Sequence, residues 1–274
     1  MYFLRRLIFA IPLLLFISAV MFLLVHIAPG GPFDRERAPA SPEIERNLKA
    51  QYHLNEPIWK QYLRYLGGLA RGDFGPSLKY RDHSVNDIIA QGLPVSMTLG
   101  ALAFCFAMGV GLPVGFFAAA RRGKWEDFAG NLFAMLAVCV PGFVIAPLLI
   151  LGFAIKWKLL PVALWGTPAH AILPMIALGL FFAGKVARLF REGMINAMQS
   201  EFIIAARSKG LAEHKLLFKH ACRIAILPVV SFSGPMLADM LTGSFIVENI
   251  FQIPGVGVFL VNGSLNRDYT VVVG

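Results

Sequence analysis

Long apolar stretches constrain the fold of this chain more than any other feature of its sequence. A helix needs about 20 mainly apolar residues to cross a bilayer, and it satisfies its own backbone hydrogen bonds there. Of the 274 residues, 57% are hydrophobic and 15% are charged, which is too apolar for a soluble domain. The sequence therefore predicts an all-α polytopic membrane protein with five visible transmembrane helices. The apolar stretches lie at 7–28, 95–120, 128–155, 171–183 and 224–247.

Basic residues next to these stretches predict the orientation of the chain. Arg5 and Arg6 precede the first stretch, and Arg121, Arg122 and Lys124 follow the second. Short basic loops stay on the cytoplasmic side of a membrane, so we expect a cytoplasmic N-terminus. Most of the formal net charge of +9 lies in such short loops. We therefore expect membrane lipid around the chain and no nucleic-acid partner.

The most basic segment, 185–223, predicts a helical loop on the cytoplasmic side. It holds eight Lys or Arg residues and three acids. No Gly or Pro interrupts 201–209, and Gly210 then stands where a helix commonly ends in a residue with positive φ. A second helix restarts near Ala212. Any polytopic protein can carry a basic helical loop of this kind, but a short helix across the membrane face followed by a sharp turn also suits the docking of a partner protein.

The residues of this loop resemble the cytoplasmic "EAA" loop of ABC importer permeases. The resemblance rests on Ala205-Ala206, Gly210 and the later Ile226-Leu227-Pro228. Ile204 stands where the general motif has Glu, and the interval from Gly210 to Leu-Pro is longer, as in the peptide-importer branch. The resemblance implies that the loop seats in a cleft of an ATPase subunit. The implied docking residues are Glu201, Ala205, Ala206, Arg207, Ser208, Lys209, Gly210 and Leu211.

A polar insertion between the first two apolar stretches predicts a small extracytoplasmic domain. Helix starts are expected at Ser41-Pro42, at Pro57 and at Ser84, where Asp87 completes an approximate capping box. The run GDFGPS (72–77) also resembles the peptide permeases. We therefore predict an N-terminal segment with the first transmembrane helix at 1–28, an extracytoplasmic domain at 29–94, and a core permease domain at 95–274 that contains the docking loop 185–223.

Two features inside the apolar stretches are candidates for a translocation pathway. Pro141-Gly142 breaks the third stretch, and such breaks are tolerated where a cavity or neighbouring helices satisfy the freed backbone groups. A kinked packing helix is the alternative. Asp239 lies in the fifth stretch, where a charge is costly and therefore suggests function. It either faces the pathway and meets the amino terminus of a peptide, or pairs with a Ser or Thr on a neighbouring helix.

The segment 248–269 predicts a turn at the outer face of the membrane. Pro254, Gly255 and Gly257 force the turn, and flanking apolar residues favour a loop that dips back into the membrane. We expect this turn to act as an outer gate or to contact a binding protein. The run from Glu248 to Gly257 and the later NRDY (266–269) resemble the peptide permeases, in which a last transmembrane helix follows. We expect that sixth helix to begin where the printed sequence ends.

The sequence shows no motif for catalysis by this chain. It has no GxxxxGK[ST] phosphate loop, no HExxH, no G-x-S-x-G and no Cys/His cluster with metal spacing. We therefore expect no catalytic residue, no metal site and no bound cofactor, with ATP and Mg²⁺ used by partner ATPases. An intramembrane enzyme needs paired catalytic groups in the spans, and a secondary transporter or channel needs more intramembrane charges than these spans hold.

The resemblance covers essentially the whole chain and is closest to the B-type permease subunit of oligopeptide importers. It implies a type I ABC importer permease fold and a pore-forming subunit that works by alternating access in the bacterial cytoplasmic (inner) membrane. The implied partners are a second, related permease subunit, two ATPase subunits and an extracytoplasmic solute-binding protein. Permeases for dipeptides, nickel or glutathione share this architecture and remain alternatives, as does a secondary transporter or channel.

Overall fold

The computed structural model describes residues 2–27, 55–79, 83–266 and 268–273. The predicted helix start at Ser41-Pro42 lies outside these ranges. Within them the structure is helical, apart from loops and an isolated β-bridge between Pro76 and Ser84. The helices are α1 (Tyr2–Ile27), α2 (Ile58–Leu69), α3 (Val85–Ala120), α4 (Trp125–Cys139), α5 (Gly142–Leu149), α6 (Pro168–Met198), α7 (Glu201–Ser208), α8 (Glu213–Lys215), α9 (Cys222–Leu241), α10 (Phe245–Ile250), α11 (Val256–Asn266) and α12 (Tyr269–Val273).

Several helical segments are long and apolar enough to cross a membrane. Four pass by length and composition: Ile8–Ile27, Val85–Ala120, Pro168–Met198 and Glu213–Ile250. The last includes a π-helical stretch, Leu216–Ala221, and a second such stretch, Ile150–Lys156, extends α5. The pair α4 and α5 passes the same test together but is bent by 104° at its break, as in a broken span or a re-entrant loop. The predicted all-α, multi-span fold class is confirmed.

Two helix ends differ from those that the apolar stretches predict. Helix α6 runs on to Met198, so the first cations of the predicted docking loop lie on a helix that begins at Pro168. Helix α9 ends at Leu241, inside the predicted apolar stretch 224–247, although the candidate span continues through α10 to Ile250. Helix α9 stops at Leu241 because Gly243 has a φ of 90°, which an α-helix does not allow. Ser244 then caps α10, since its hydroxyl accepts a hydrogen bond from the Val247 amide at 3.5 Å.

The start of α3 confirms the predicted capping box. The Ser84 hydroxyl accepts a hydrogen bond from the Asp87 amide at 3.1 Å, and the Asp87 carboxylate accepts one from the Ser84 amide at 3.0 Å. These reciprocal bonds satisfy two backbone donors that have no partner inside the helix. Helix α3 therefore begins in the polar insertion and continues as one helix of 36 residues through the predicted second span.

The chain divides into two compact units, each with its own apolar contacts. One unit comprises residues 1–92 and 258–274, and the other comprises residues 93–257. In the first unit, Tyr62 donates a hydrogen bond to the Leu15 carbonyl at 3.0 Å, which ties α2 to α1, and Tyr65 donates to the Val273 carbonyl at 2.8 Å. The predicted domain boundaries at residues 28 and 94 remain a prediction.

The second unit is built around α3, α6 and α9, which share one apolar core. Its buried members are mostly small residues and methionines, such as Ala103, Ala183, Ala225, Met194 and Met236. A second apolar cluster joins α3, α5, α6 and α10. Small residues allow membrane helices to approach closely, and van der Waals contact then stabilises their packing.

Helices α3 and α6 approach each other closely at a pair of small-residue motifs. Gly111 and Gly115 are spaced as GxxxG on α3, and Ala183 and Ala187 have the same spacing on α6. A Cβ on Gly111 would lie 2.7 Å from the Ala183 carbonyl oxygen, and one on Gly115 would collide with the Ala187 carbonyl. The two backbones therefore touch at a place where α3 has no side chains.

Candidate functional site

The predicted docking helix is present as α7, and a single side chain anchors it. Ile203 is 0% exposed, whereas Phe202 and Ile204 on either side are 44% and 51% exposed. Glu201, Ala205, Arg207, Ser208 and Lys209 are also exposed, and Ala206 is half-buried. Because apolar side chains seldom stay in water together without a partner, this short helix presents a surface suited to contact with another protein.

Helix α7 ends in a Schellman motif at the predicted glycine. Gly210 has a φ of 79°, its amide donates to the Arg207 carbonyl at 3.0 Å, and the Leu211 amide donates to the Ala206 carbonyl at 3.4 Å. No other atom would lie within 4 Å of a Cβ at position 210. Glycine is therefore favoured by the left-handed backbone alone and not by a lack of space.

An ion pair closes the turn between α7 and α8. Arg207 donates two hydrogen bonds to the Glu213 carboxylate, from Nε at 3.1 Å and from a terminal nitrogen at 2.8 Å. The carboxylate raises the pKa of the Arg207 guanidinium above its ordinary value. Both side chains are about half exposed, so the pair contributes little stability. Its geometric effect is to fix the direction in which the chain leaves α7.

A second ion pair shows which ends of the helices lie together. Arg191, near the end of α6, donates to the Asp127 carboxylate at 2.7 Å, and both side chains are largely buried. Asp127 also accepts hydrogen bonds from the Gly123 amide and from Asn131, at 2.9 Å each. The loop 121–124 and the C-terminal end of α6 therefore lie on the same side of this unit. The basic residues of both segments are visible in the sequence, but their pattern does not predict this pair.

The two predicted pathway features, Pro141-Gly142 and Asp239, lie on different helices. Pro141 is the extended residue before α5, Gly142 begins that helix, and the sharp bend between α4 and α5 falls here. Asp239 lies near the end of α9 with an exposed side chain. In the described part of the chain, that carboxylate has no hydrogen bond or salt bridge to a neighbouring helix. The roles of Pro141, Gly142 and Asp239 in a pathway remain predictions.

The predicted outer turn is organised by a buried carboxylate whose role no sequence motif predicts. Glu248 is 0% exposed. It accepts hydrogen bonds from the Ser96 hydroxyl at 2.7 Å and from the Gly257 amide at 2.9 Å, and the Ser96 oxygen in turn accepts one from the Val256 amide at 3.0 Å. These bonds hold the turn before α11 against the start of the second predicted span.

The glycines of this turn make room for that carboxylate. Gly255 and Gly257 are buried, whereas Pro254 is exposed. A Cβ on Gly255 would collide with the carboxylate of Glu248, and one on Gly257 would lie 2.9 Å from it. The run from Glu248 to Gly257 thus acts as one unit, in which the carboxylate holds the turn and the glycines leave room for the carboxylate. Its sequence signal is an acid at a fixed distance before a Pro-Gly-x-Gly turn.

Two sequence motifs that carried the family resemblance meet in the first unit. The buried carboxylate of Asp268, from the NRDY run, accepts hydrogen bonds from the Ser77 hydroxyl and from the amides of Leu78 and Lys79 at 3.1 and 3.2 Å. Ser77 ends the run GDFGPS. Thr270 donates to the Pro76 carbonyl at 2.7 Å and tightens the same contact. Motifs far apart in sequence are therefore parts of one buried network.

Within the described ranges, no group of three or more His, Cys, Asp or Glu side chains is placed to hold a metal ion. The free cysteines there, Cys105, Cys139 and Cys222, are separate from one another in sequence and form no disulfide.

Sequence profiles of known families match nearly the whole chain. The profile described as "Binding-protein-dependent transport system inner membrane component" matches residues 111–274, and that of the N-terminal part of such components matches residues 1–100. The chain belongs to this family. Membership confirms the resemblance that the docking loop, the outer turn and the NRDY run indicated.

Relatives from several bacteria match over most of their own length. The oligopeptide transport system permease proteins OppB of Haemophilus influenzae and Salmonella typhimurium are 45% and 46% identical, each over 98% of this chain and 88% of the relative. The dipeptide transport system permease protein DppB of Bacillus subtilis is 41% identical over 95% of this chain and 84% of its own. The family member described here is thus similar to permeases named for both peptide classes.

A solved structure agrees on the fold. A chain from inward-facing conformations of the MetNI methionine ABC transporter superposes with a TM-score of 0.54, at 15% identity, over 68% of this chain and 87% of that chain. At this identity the likeness concerns the fold alone. It confirms the expected type I ABC importer permease fold for this family member.

Proposed function

We propose that this chain is the pore-forming permease subunit of an ATP-driven importer for oligopeptides. The observation that carries the proposal is α7, an exposed helix held by one buried side chain and ended by a fixed turn. A helix in this position suits the transfer of motion between a partner on the membrane face and the spans packed behind it. The names of the 45–46% identical relatives support oligopeptides as the substrate.

Dipeptides are the second candidate substrate, because a 41% identical relative is a dipeptide permease. Nickel and glutathione, which the family resemblance also allowed, have no counterpart in the relatives described above. In each case the chain provides the route through the membrane, while a separate binding protein delivers the solute.

The proposed assembly has four kinds of partner. Two ATPase subunits bind and hydrolyse ATP with Mg²⁺, and this chain binds neither and catalyses no reaction. A second, related permease subunit completes the pore, and an extracytoplasmic binding protein meets the turn at Pro254, Gly255 and Gly257. The chain lies in the bacterial inner membrane with its N-terminus and α7 on the cytoplasmic side. Closure of the ATPases moves α7 and rocks the spans between outward- and inward-facing states.

Purification of the chain with its chromosomal neighbours in mild detergent tests this proposal. We expect two ATPases and a second permease to co-purify, and we expect the complex to take up oligopeptides after reconstitution with its binding protein. Recovery of the chain alone, folded and stable, would instead favour a channel or a secondary transporter.

A matched pair of variants tests the role of α7 in the assembly. Ile204→Asp places a charge on the exposed apolar surface of α7, and Leu159→Asp does the same on an exposed residue in the loop before α6. We expect only Ile204→Asp to release the ATPases from the complex. Equal retention of the ATPases by both variants would show that α7 is not the docking element.

A further inference from the structure

A lysine lies near the middle of a membrane-spanning helix. Lys185 belongs to α6, which runs from Pro168 to Met198. Its aromatic neighbour Phe232 lies at the middle of α9, so the ammonium group is close to the centre of that span and not at its basic end. A charge at such depth is costly and is expected to have a functional reason.

Aromatic rings surround the ammonium group of Lys185. Its nitrogen lies 4.2 Å from the ring centroid of Phe181, 5.9 Å from that of Phe182 and 5.8 Å from that of Phe232. Ring faces attract a cation, and the attraction strengthens where water is scarce. The rings therefore hold the charge in place without neutralising it.

The same lysine has no anion beside it in the described part of the chain. None of the salt bridges there involves Lys185, although Arg188 and Arg191 on the next two turns of α6 each have an acidic partner. Lys185 is only half-buried, so part of this residue remains accessible. A held and partly accessible cation inside a membrane protein is suited to receive an anion that comes and goes.

An acid lies two helical turns from the Phe232 ring on the neighbouring helix. Asp239 follows Phe232 by seven residues on α9, which places both on one face with about 10 Å between their Cα atoms. The Asp239 side chain is exposed and has no partner on a neighbouring helix in the described ranges. The acid thus lies about two helical turns along α9 from the ring that contacts the cation.

A cation and an acid on neighbouring helices suit a short peptide, which has two charged ends. An extended peptide advances about 3.3–3.6 Å per residue, so about three residues cover the 10 Å along α9 from Phe232, the ring beside the cation, to Asp239. We propose that Lys185 is a substrate-binding residue that receives the C-terminal carboxylate of a translocating peptide while Asp239 receives its amino group. This rests on the proposed function as a peptide permease, and it assigns the recognition of free peptide termini to the permease itself.

Uptake of paired peptides by the complete reconstituted transporter tests the proposal. The probes are one tripeptide with a free C-terminus and the same tripeptide as its C-terminal amide. We expect Lys185→Met to slow uptake of the free acid by about tenfold, the loss of one hydrogen bond to a charged group, and to leave uptake of the amide unchanged. Lys185→Arg keeps the charge and is expected to retain the preference for the free acid.

The control is a cation on the same helix outside the ring of aromatics. Arg188 is largely exposed and pairs with Glu192, so Arg188→Met is expected to change uptake of neither peptide. The binding protein is the same in every measurement, and each variant is compared with the wild type on each peptide. Differences in delivery by the binding protein therefore cancel.

The outcomes separate this proposal from the proposed function. If the wild type takes up neither peptide, the peptide-permease function itself is wrong. If it takes up both, and Lys185→Met slows both equally, Lys185 has a packing role and the inference is overturned. Restoration of free-acid uptake by removal of an acid in the second permease subunit would also overturn it, because Lys185 would then pair with that subunit.

A second variant keeps the test decisive if Lys185→Met does not assemble. Asp239→Asn preserves size and is expected to slow uptake of the tripeptide with a free amino terminus by about tenfold relative to its N-acetylated form. Equal uptake of the two forms by Asp239→Asn and by the wild type would make Asp239 a packing residue and would overturn the proposal.

Discussion

At position 210 a side chain would meet no neighbouring atom, and yet the backbone there favours glycine. Its φ of 79° lies in the left-handed region, which costs an ordinary residue roughly 1–2 kcal/mol. The direction of the chain between α7 and α8 therefore depends on one residue, with the Arg207–Glu213 pair as a weaker support.

We predict that Gly210→Val uncouples transport without unfolding the spans. A β-branched residue strains the turn at the end of α7, so the helix is no longer presented in a fixed direction. Uptake by the reconstituted complex is expected to fall while the amount of assembled complex is unchanged. Normal uptake in intact cells would show that the docking role given to this loop is wrong.

Gly123 offers the matched control for this variant. It also has a φ of 79° and no atom within 4 Å of a Cβ position, but it lies in the loop before α4. Gly123→Val therefore introduces comparable backbone strain at a place that is not part of α7. We expect it to retain the coupling between ATP hydrolysis and uptake.

A second prediction concerns the hydroxyl that contacts the buried carboxylate of Glu248. Ser96→Ala removes one hydrogen bond from the fully buried Glu248 carboxylate and also leaves the Val256 amide without its acceptor, and leaving a buried group unsatisfied costs about 1–3 kcal/mol. We expect a lower thermal unfolding temperature for the purified variant in detergent. The control is Ser231→Ala, since the exposed Ser231 hydroxyl donates only to the Leu227 carbonyl of its own helix. An equal loss in both variants would contradict the role given to Ser96.

At the scale of the helices, the packing of α3 on α6 predicts that alanine substitution stabilises the protein at one glycine of α3 and destabilises it at another. Gly109→Ala places a methyl group in open space and removes a flexible residue from a helix, so it is expected to stabilise the protein by about 0.5–1 kcal/mol. Gly115→Ala forces a methyl group against the Ala187 carbonyl and is expected to destabilise it by about 1–3 kcal/mol. Thermal unfolding of both variants measures the difference, and changes of the same sign would contradict this packing.

The helix ends that local chemistry determines were predictable from the sequence. Ser84 and Asp87 form a capping box within four residues, and Gly210 ends α7 through bonds to its own last turn. Each of these signals depends only on neighbouring residues. The sequence could therefore locate the start of α3, the end of α7 and the restart of the chain near Ala212.

The positions that depend on distant segments were not predictable in this way. The charge pattern places Lys185 in the basic loop, because a count of charges does not tell how far a helix continues past its apolar stretch. The contacts of Glu248 and Asp268 depend on amides from other segments that converge only in the folded chain. A sequence pattern could suggest that such acids matter but not what they bind.

At the scale of the whole molecule, the ion pair between Asp127 and Arg191 bears on the orientation of the chain in the membrane. It places the loop 121–124 beside the C-terminal end of α6, and α7 follows directly after that end. Both segments were predicted to be cytoplasmic from separate groups of basic residues. Their proximity is consistent with a single orientation, since they must face the same side.

The last prediction tests that orientation by labelling single cysteines in intact cells and in inverted vesicles. After the cysteines at 105, 139 and 222 are replaced by alanine, one cysteine is introduced in place of Lys124, Lys209 or Val162, in cells that lack the partner ATPases so that α7 is uncovered. A membrane-impermeant maleimide is expected to label positions 124 and 209 only from the cytoplasmic side, because both belong to basic segments. Position 162 lies in the loop between the α5 stretch and α6, and it is expected to be labelled only from outside.

Labelling of 124 and 209 from opposite sides would contradict the structure, because the Asp127–Arg191 contact requires one side for both. Labelling of both from outside would leave the structure intact but reverse its orientation, and α7 would then be unable to reach an ATPase in the cytoplasm.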